Sequence, residues 1–323
     1  TEPPGPKHPN VYSTGASHHV ELEGCEVKNS YEQAILADDG TADIQLIGNW
    51  CHDFGTVGSS ARDHGIYFQG DRHVIINNLL HDCAFGHVIQ IYPSARDFII
   101  ANNTVAHSLY EALNPKSTGI LLGSDVNGKT SDDHIVVNNL VIACNYGIEG
   151  YASLGQVKSL SGAHTLPVTP ITLNNTTSMD TTDGQVSIGS LTGTVDPAAV
   201  AYTDVSGAQI TGCTTHLGAG TWANGVQVRA SVTDKLSGTG TAAHHNAFWD
   251  IIYHPRRLQA QAGSIPIIDF QGNDIETDPL VVDDTARDYH LQNGSPLRGA
   301  GVEAYCPTYD FDGNARSVAT IGA

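Results

Sequence analysis

Within six residues, Arg62-Asp63-His64-Gly65-Ile66-Tyr67 gathers a cation, an acid, an imidazole and a phenol. Proton abstraction beside a carboxylate needs these groups. An imidazole is basic near neutral pH without large perturbation, so His64 is the candidate base, Asp63 the group that orients it and Tyr67 the candidate acid. Arg62 and Lys116 would neutralise a substrate carboxylate, and His87 joins His64 as a second imidazole. Two imidazoliums about 5 Å apart repel by roughly 1 kcal/mol in water and about 3 kcal/mol at an effective dielectric of 20, which favours a neutral ring. A second set, His52-Asp53 and His81-Asp82, recurs in the same context, Asn49-Trp50-Cys51-His52-Asp53 against Asn78-Leu79-Leu80-His81-Asp82. These four, with Gln90 and Glu149, are candidate substrate-binding residues. The repetition also suits a plainer role, because stacked turns use His and Asp to satisfy main-chain hydrogen bonds.

The elements that would position them are short and repeated. Ile47-Gly48-Asn49, Ile76-Asn77-Asn78, Ala101-Asn102-Asn103, Val137-Asn138-Asn139 and His245-Asn246 restate one pattern. Each leads through apolar residues and a polar break to a second strand, such as Gly65-Ile66-Tyr67-Phe68, Val88-Ile89-Gln90-Ile91, Gly119-Ile120-Leu121-Leu122 or Gly147-Ile148-Glu149. Such units cannot bury an apolar face alone, so they stack into a solenoid. Equivalent residues then form columns about 4.8 Å apart. Alignment on the Asn residues puts His52 beside His81 and Asp53 beside Asp82. Alignment on the second strand puts His64 beside His87, between Gln33 and Thr118, and puts Gln90 and Glu149 in the column of Tyr67.

This pattern resembles the right-handed parallel β-helix of the pectin-lyase-like superfamily, over residues 18 to 151 and again from 243 to 300. The resemblance implies an all-β fold with Asn ladders in its turns. The closing stretch, Asp288-Tyr289-His290-Leu291-Gln292-Asn293-Gly294-Ser295-Pro296 and then Tyr309-Asp310-Phe311-Asp312-Gly313-Asn314, is similar to the ends of many secreted bacterial β-helix proteins. Asp63-His64 is similar to the Asp-Pro-His strand motif of β-helix alginate epimerases and related lyases, without its Pro. Between Ser153 and Ala242 the composition turns to Thr, Ser and Gly. Alternating runs such as Gln185-Val186-Ser187-Ile188 and Val226-Gln227-Val228 indicate antiparallel strands, in a module that resembles those of phage tail proteins. The expected organisation is N-terminal coils over 1–152, an inserted antiparallel β module over 153–242, and β-helix continuation with a closing segment over 243–323. Arg256-Arg257, after Pro255, reads as a solvated loop.

The chain has 323 residues, with 15 Lys and Arg against 34 Asp and Glu, for a formal charge of −19. That charge opposes nucleic-acid binding, and no apolar run is long enough for a membrane span. The start, Thr1-Glu2-Pro3-Pro4, lacks signal-peptide regions. No cofactor is implied, although Asp310-Phe311-Asp312-Gly313-Asn314 has the look of a calcium loop. Of six cysteines, Cys83 and Cys144 fall two coils apart, too far to bridge, and a Cys213–Cys306 bridge stays open. The expected function is that of an extracellular, secreted or virion-surface enzyme acting on a polysaccharide, by lyase or epimerase chemistry on a uronate. The alternatives are a non-catalytic structural or glycan-binding β-helix and a glycoside hydrolase using a pair among Asp53, Asp63 and Asp82.

Overall fold

The structure, a computed structural model, describes residues 9–55, 63–108, 117–124, 131–154, 156–166, 170–174, 176, 184–188, 198–217, 220–223, 226–230, 237–262 and 266–323. Each coil contributes one strand to each of three parallel sheets. The first sheet orders Val11–Ser13, Ile35–Ala37, Ile66–Asp71, Ile89–Arg96, Thr118–Gly123, Tyr146–Leu154 and His254–Ala262. The second runs from Glu21–Glu23 through Gln45–Ile47, Val74–Ile76, Ile99–Ala101 and Ile135–Val137 to Ser237–His244 and Pro266–Gly272. The third runs from Glu26–Ser30 through Trp50–Phe54, Leu79–Cys83, Thr104–Ser108 and Leu140–Cys144 to Ala247–Trp249.

Apolar side chains stack inside in register. Ile35, Ile66, Ile89, Ile120 and Ile148 form one column, while Leu46, Ile75, Ile100 and Val136 form another. All of these are buried, and each large aliphatic side chain so buried contributes about 1.5–3 kcal/mol. Gly65 has no room for a side chain, since a Cβ there would lie 2.7 Å from the Phe54 ring and 2.5 Å from the Val88 carbonyl oxygen.

The Asn doublets divide two jobs. The first position, occupied by Gly24, Gly48, Asn77, Asn102, Asn138, His245 and Asn273, is left-handed, with φ between 51° and 61°, a region Gly and Asn reach cheaply. The second position builds a buried ladder. Asn49 N–H donates to Asn78 Oδ1 at 2.9 Å, Asn78 N–H to Asn103 at 3.0 Å, Asn103 N–H to Asn139 at 3.1 Å and Asn139 N–H to Asn246 at 3.1 Å. Each Nδ2 also donates onward to the next Oδ1 at 3.0 Å. Only a side chain holding both donor and acceptor can relay such a chain. Asp274 closes it, its Oδ1 accepting Asn246 N–H at 2.9 Å.

Two histidines that the sequence reading passed over do similar work at another corner. His73 Nδ1 accepts Ile44 N–H at 2.9 Å, and His134 Nδ1 accepts Phe98 N–H at 3.2 Å. Burial pushes their pKa values down to about 4 and about 3. Both rings therefore fold neutral, and the unfolded chain binds more protons wherever pH falls below about 6.5. The contribution of these two rings to stability is expected to drop from pH 6.5 toward pH 4. His73→Gln keeps an acceptor but does not titrate, so its urea midpoint should fall less over that range; parallel curves for the two proteins would refute the assignment.

From 156 to 230 the strands pair antiparallel. One sheet orders Gln156–Ser159, Gln227–Ala230, Gly184–Ile188, Ala198–Tyr202 and Thr214–Leu217, and a separate apolar cluster forms around Ile171, Val186, Ile188, Val200 and Ile210. The solenoid itself differs from expectation at both ends. It begins at Val11, and its parallel pairing ends at the Ala247–Ile275 bridge, short of residue 300. Beyond that bridge, Val281–Asp283 and Asp288–Leu291 make an antiparallel hairpin. The remainder crosses the outer face of the third sheet and buries Tyr289, Leu297 and Ile321 against Ala106, Leu140 and Ile142. That face is apolar in these coils and needs a cover. The Asp310 carboxylate serves its own turn, accepting the N–H groups of Asp312 and Asn314 at 3.1 and 2.7 Å. All six cysteines are free thiols, so Cys213 and Cys306 are not bridged.

Candidate active face

The two imidazole stacks form where the register puts them. His52 and His81 lie 5.3 Å apart between ring centroids at an interplanar angle of 13°, and so do His64 and His87. Their hydrogen bonds give them different chemistry.

Asp53 and Asp82 occupy left-handed positions, with φ of 54° and 57°, which turn their carboxylates back onto the histidines. His52 Nδ1 meets Asp53 at 2.7 Å and its Nε2 meets Glu26 at 3.1 Å. His81 Nδ1 meets Asp82 at 2.7 Å, and its Nε2 accepts the Trp50 indole N–H at 2.9 Å. An indole only donates, so His81 is neutral with its proton on Nδ1. Arg287, from the closing segment, grips Asp82 with contacts of 2.6 and 2.9 Å. Burial raises the Asp82 carboxyl, but the hydrogen bonds from His81 and Arg287 outweigh it and hold the group well below the usual carboxylate range. An acid so held cannot deliver a proton at neutral pH, which argues against Asp53 and Asp82 as a hydrolytic pair. This set ties the closing segment to the coils.

His64 and His87 belong to the outer face of the first sheet. His64 Nδ1 accepts His87 N–H at 3.0 Å, and His87 Nδ1 accepts Thr118 N–H at 3.1 Å. This is the arrangement of His73 and His134. It fixes the neutral tautomer with the proton on Nε2, so neither ring keeps the lone pair that a base would need. Asp63 is buried just ahead of the Ile66–Asp71 strand. Tyr67 shares the face, its ring 5.4 Å from that of His64 in a T-shaped contact. Arg62 and Lys116 lie outside the described residues.

The column of Tyr67 continues through Gln90, Leu121 and Glu149 to Arg257. Arg257 is thus a strand residue of the last coil, correcting the loop expected from the sequence. Glu149 is 2% exposed. Its Oε2 accepts the Thr118 hydroxyl at 2.6 Å, and its Oε1 stands 3.6 Å from Arg257 Nη1. The guanidinium lies 4.1 Å above the Tyr146 ring, a cation–π arrangement. Burial raises the Tyr146 phenol, with Arg257 opposing. Tyr253, 56% exposed, packs 5.3 Å from Tyr146, and Tyr92 meets Tyr151 at 6.0 Å on the same face. Two polar atoms in this column, Gln90 Oε1 and Arg257 Nε, are buried without a hydrogen-bond partner.

The sequence reading missed Arg257 and this row of tyrosines. Carrying the register of Ile148 across the insertion, to Arg256, would have placed Arg257 in the column of Glu149. Among the described residues no group of His, Cys, Asp and Glu is arranged to hold a metal ion, and no helix is long and apolar enough to cross a membrane.

No curated protein and no solved structure matches the chain. Residues 10–160 match the family model described as a right handed beta helix region, which together with the three stacked parallel sheets makes the fold that of a right-handed parallel β-helix.

Proposed function

We propose that the protein is a polysaccharide-active enzyme whose substrate chain lies along the outer face of the first sheet, and that it acts on a uronate by β-elimination or epimerisation. The observation that carries this is the buried Glu149–Arg257 pair flanked by the orphaned polar atoms of Gln90 and Arg257. Such burial costs free energy that a solenoid does not need to spend for folding, and orphaned groups of this kind leave hydrogen-bonding capacity for a ligand. The tyrosine row adds stacking surfaces for sugar rings. The resemblance to pectin-lyase-like β-helices and to alginate epimerases points to the same substrate class, which would place the protein outside the cell or, as the likeness of the inserted module to phage tail modules suggests, on a virion.

In this reading Arg257 faces the substrate carboxylate and Glu149, rather than His64, takes the α proton. The C–H electrons pass into the carboxylate as an enolate, which Arg257 stabilises. In elimination the bond to the leaving oxygen then breaks as Tyr146 supplies its proton, leaving an unsaturated uronate. In epimerisation the Tyr146 phenol gives its proton to the α carbon from the opposite face, and Glu149 passes the abstracted proton back to the phenolate through solvent. A panel of uronate polysaccharides, monitored by ultraviolet absorbance and by reducing ends, tests this. Glu149→Gln and Arg257→Ala should each lower kcat/KM at least about tenfold, while His64→Ala should act mainly on stability. Full activity in both variants of the pair would sink the proposal.

A second reading, a glycan-binding β-helix without catalysis, draws on the histidine lone pairs being spent on main-chain N–H groups. Binding with no product from any polysaccharide would decide for it.

A further inference from the structure

The closing segment and the third sheet form a half-open pocket of about 410 Å³ on a different flank from the candidate active face. Leu79 and Thr104 belong to the sheet side, and Tyr289, Leu291, Phe311 and Val318 supply walls from the closing segment. A volume of this order suits a small organic ligand.

The charges around the cavity are unevenly committed. Asp288 and Asp312 hold His290 between them, one on each ring nitrogen. Asp310 accepts two main-chain N–H groups and the Asn314 amide, and Arg287 is bound to Asp82. Every aspartate on the wall therefore has a partner. Two guanidiniums do not have an anionic one among the described residues. Arg316 donates only to the Tyr309 and Gly322 carbonyls and to Asn77 Oδ1, at 3.3, 3.1 and 3.0 Å. Arg298 has a single 3.4 Å contact to the Leu291 carbonyl. Burial pushes the Arg316 pKa below its ordinary value, the sign of a cation short of compensation.

We infer that this cavity is a second binding site, for a small carboxylate the size of an acidic monosaccharide, with Arg298 and Arg316 facing the anion and the apolar wall facing the ring. A planar guanidinium matches a carboxylate with two parallel hydrogen bonds. The site is separate from the Glu149–Arg257 face and stands or falls without it. Its occupant would bridge coils and closing segment, so binding should stabilise the fold.

The experiment titrates the full chain with glucuronate, with glucose and with inorganic phosphate, following melting temperature and heat of binding. Arg298→Ala, Arg298→Lys and Glu149→Gln are measured alongside. Glucuronate should raise the melting temperature in a saturable way. Arg298→Ala, whose unliganded melting temperature should match the parent, should weaken binding about tenfold or more, Arg298→Lys should restore part of it, and Glu149→Gln should leave it unchanged. Equal binding of glucose, binding of phosphate alone, or indifference to Arg298→Ala would overturn the inference. So would loss of binding in Glu149→Gln, which would move the ligand to the other face.

Discussion

Asn103→Ala is expected to cost about 3–5 kcal/mol and to lower the urea midpoint more than any exposed substitution on the solenoid. The side chain is fully buried. Its Oδ1 accepts Asn78 N–H and Nδ2–H, each at 3.0 Å, and its Nδ2 donates to the Ile75 carbonyl at 2.9 Å and to Asn139 Oδ1 at 3.0 Å. Truncation leaves a main-chain donor and a main-chain carbonyl buried and unmet, at about 1–3 kcal/mol each, with a small void added. Asn103→Asp should be comparably harmful, since it keeps the acceptor but turns a donor into an anion against the Ile75 carbonyl. A loss below about 1 kcal/mol in both variants, by urea unfolding, would mean that the ladder is decoration.

At the end of the ladder the reverse change, Asp to Asn, is expected to stabilise. Asp274 occupies the rung after Asn246 with its side chain 3% exposed, and its Oδ2 has no hydrogen-bond partner. Burial pushes the carboxyl up to about 6, against the Asn246 N–H and against Arg256, whose Nη1 is 3.6 Å away. Glu276, which pairs with Arg256 at 3.1 Å, adds to the rise. The folded pKa lies above the unfolded value of about 3.9. At this site the folded protein therefore binds more protons between pH 4 and pH 6, and the contribution of Asp274 to stability falls as pH rises through that window. A rise of about 2 pKa units corresponds to about 3 kcal/mol lost at pH 7. Asp274→Asn supplies the residue the other rungs use and should recover much of this at pH 7 while changing little at pH 4. Equal stability of parent and variant at pH 7 would show that Asp274 is ionised at no cost.

The fold was legible because its rule is local and repeats. Asn77-Asn78, Asn102-Asn103 and Asn138-Asn139 sit in similar strand contexts, and the stacking of His52 on His81 and of His64 on His87 follows by alignment alone. Chemistry was harder to read. The partner of His64 Nδ1 is a main-chain N–H, which no side-chain pattern reports, so a ladder imidazole looked like a base. Arg257 was hidden by distance along the chain, because consecutive rungs Asn139 and Asn246 lie 107 residues apart across the insertion. Arg287 and Tyr289 were hidden by a fold-back. They reach Asp82 and His81 only because an apolar sheet face recruits the closing segment.

The Asn ladder also has a direction. From rung to rung the main-chain N–H and one Nδ2–H go to the next Oδ1 toward the C-terminal end, starting with Cys25 N–H on Asn49 Oδ1 at 3.0 Å, while the other Nδ2–H returns to a carbonyl of the coil before. The two ends are therefore not interchangeable as sites for lengthening the molecule. A coil spliced in before Asn49 needs an Asn with both functions, whereas the terminal rung needs only to accept, which a carboxyl can do. Asp274 acts as a chain terminator, and a designer who wished to add coils after it would first have to restore the amide.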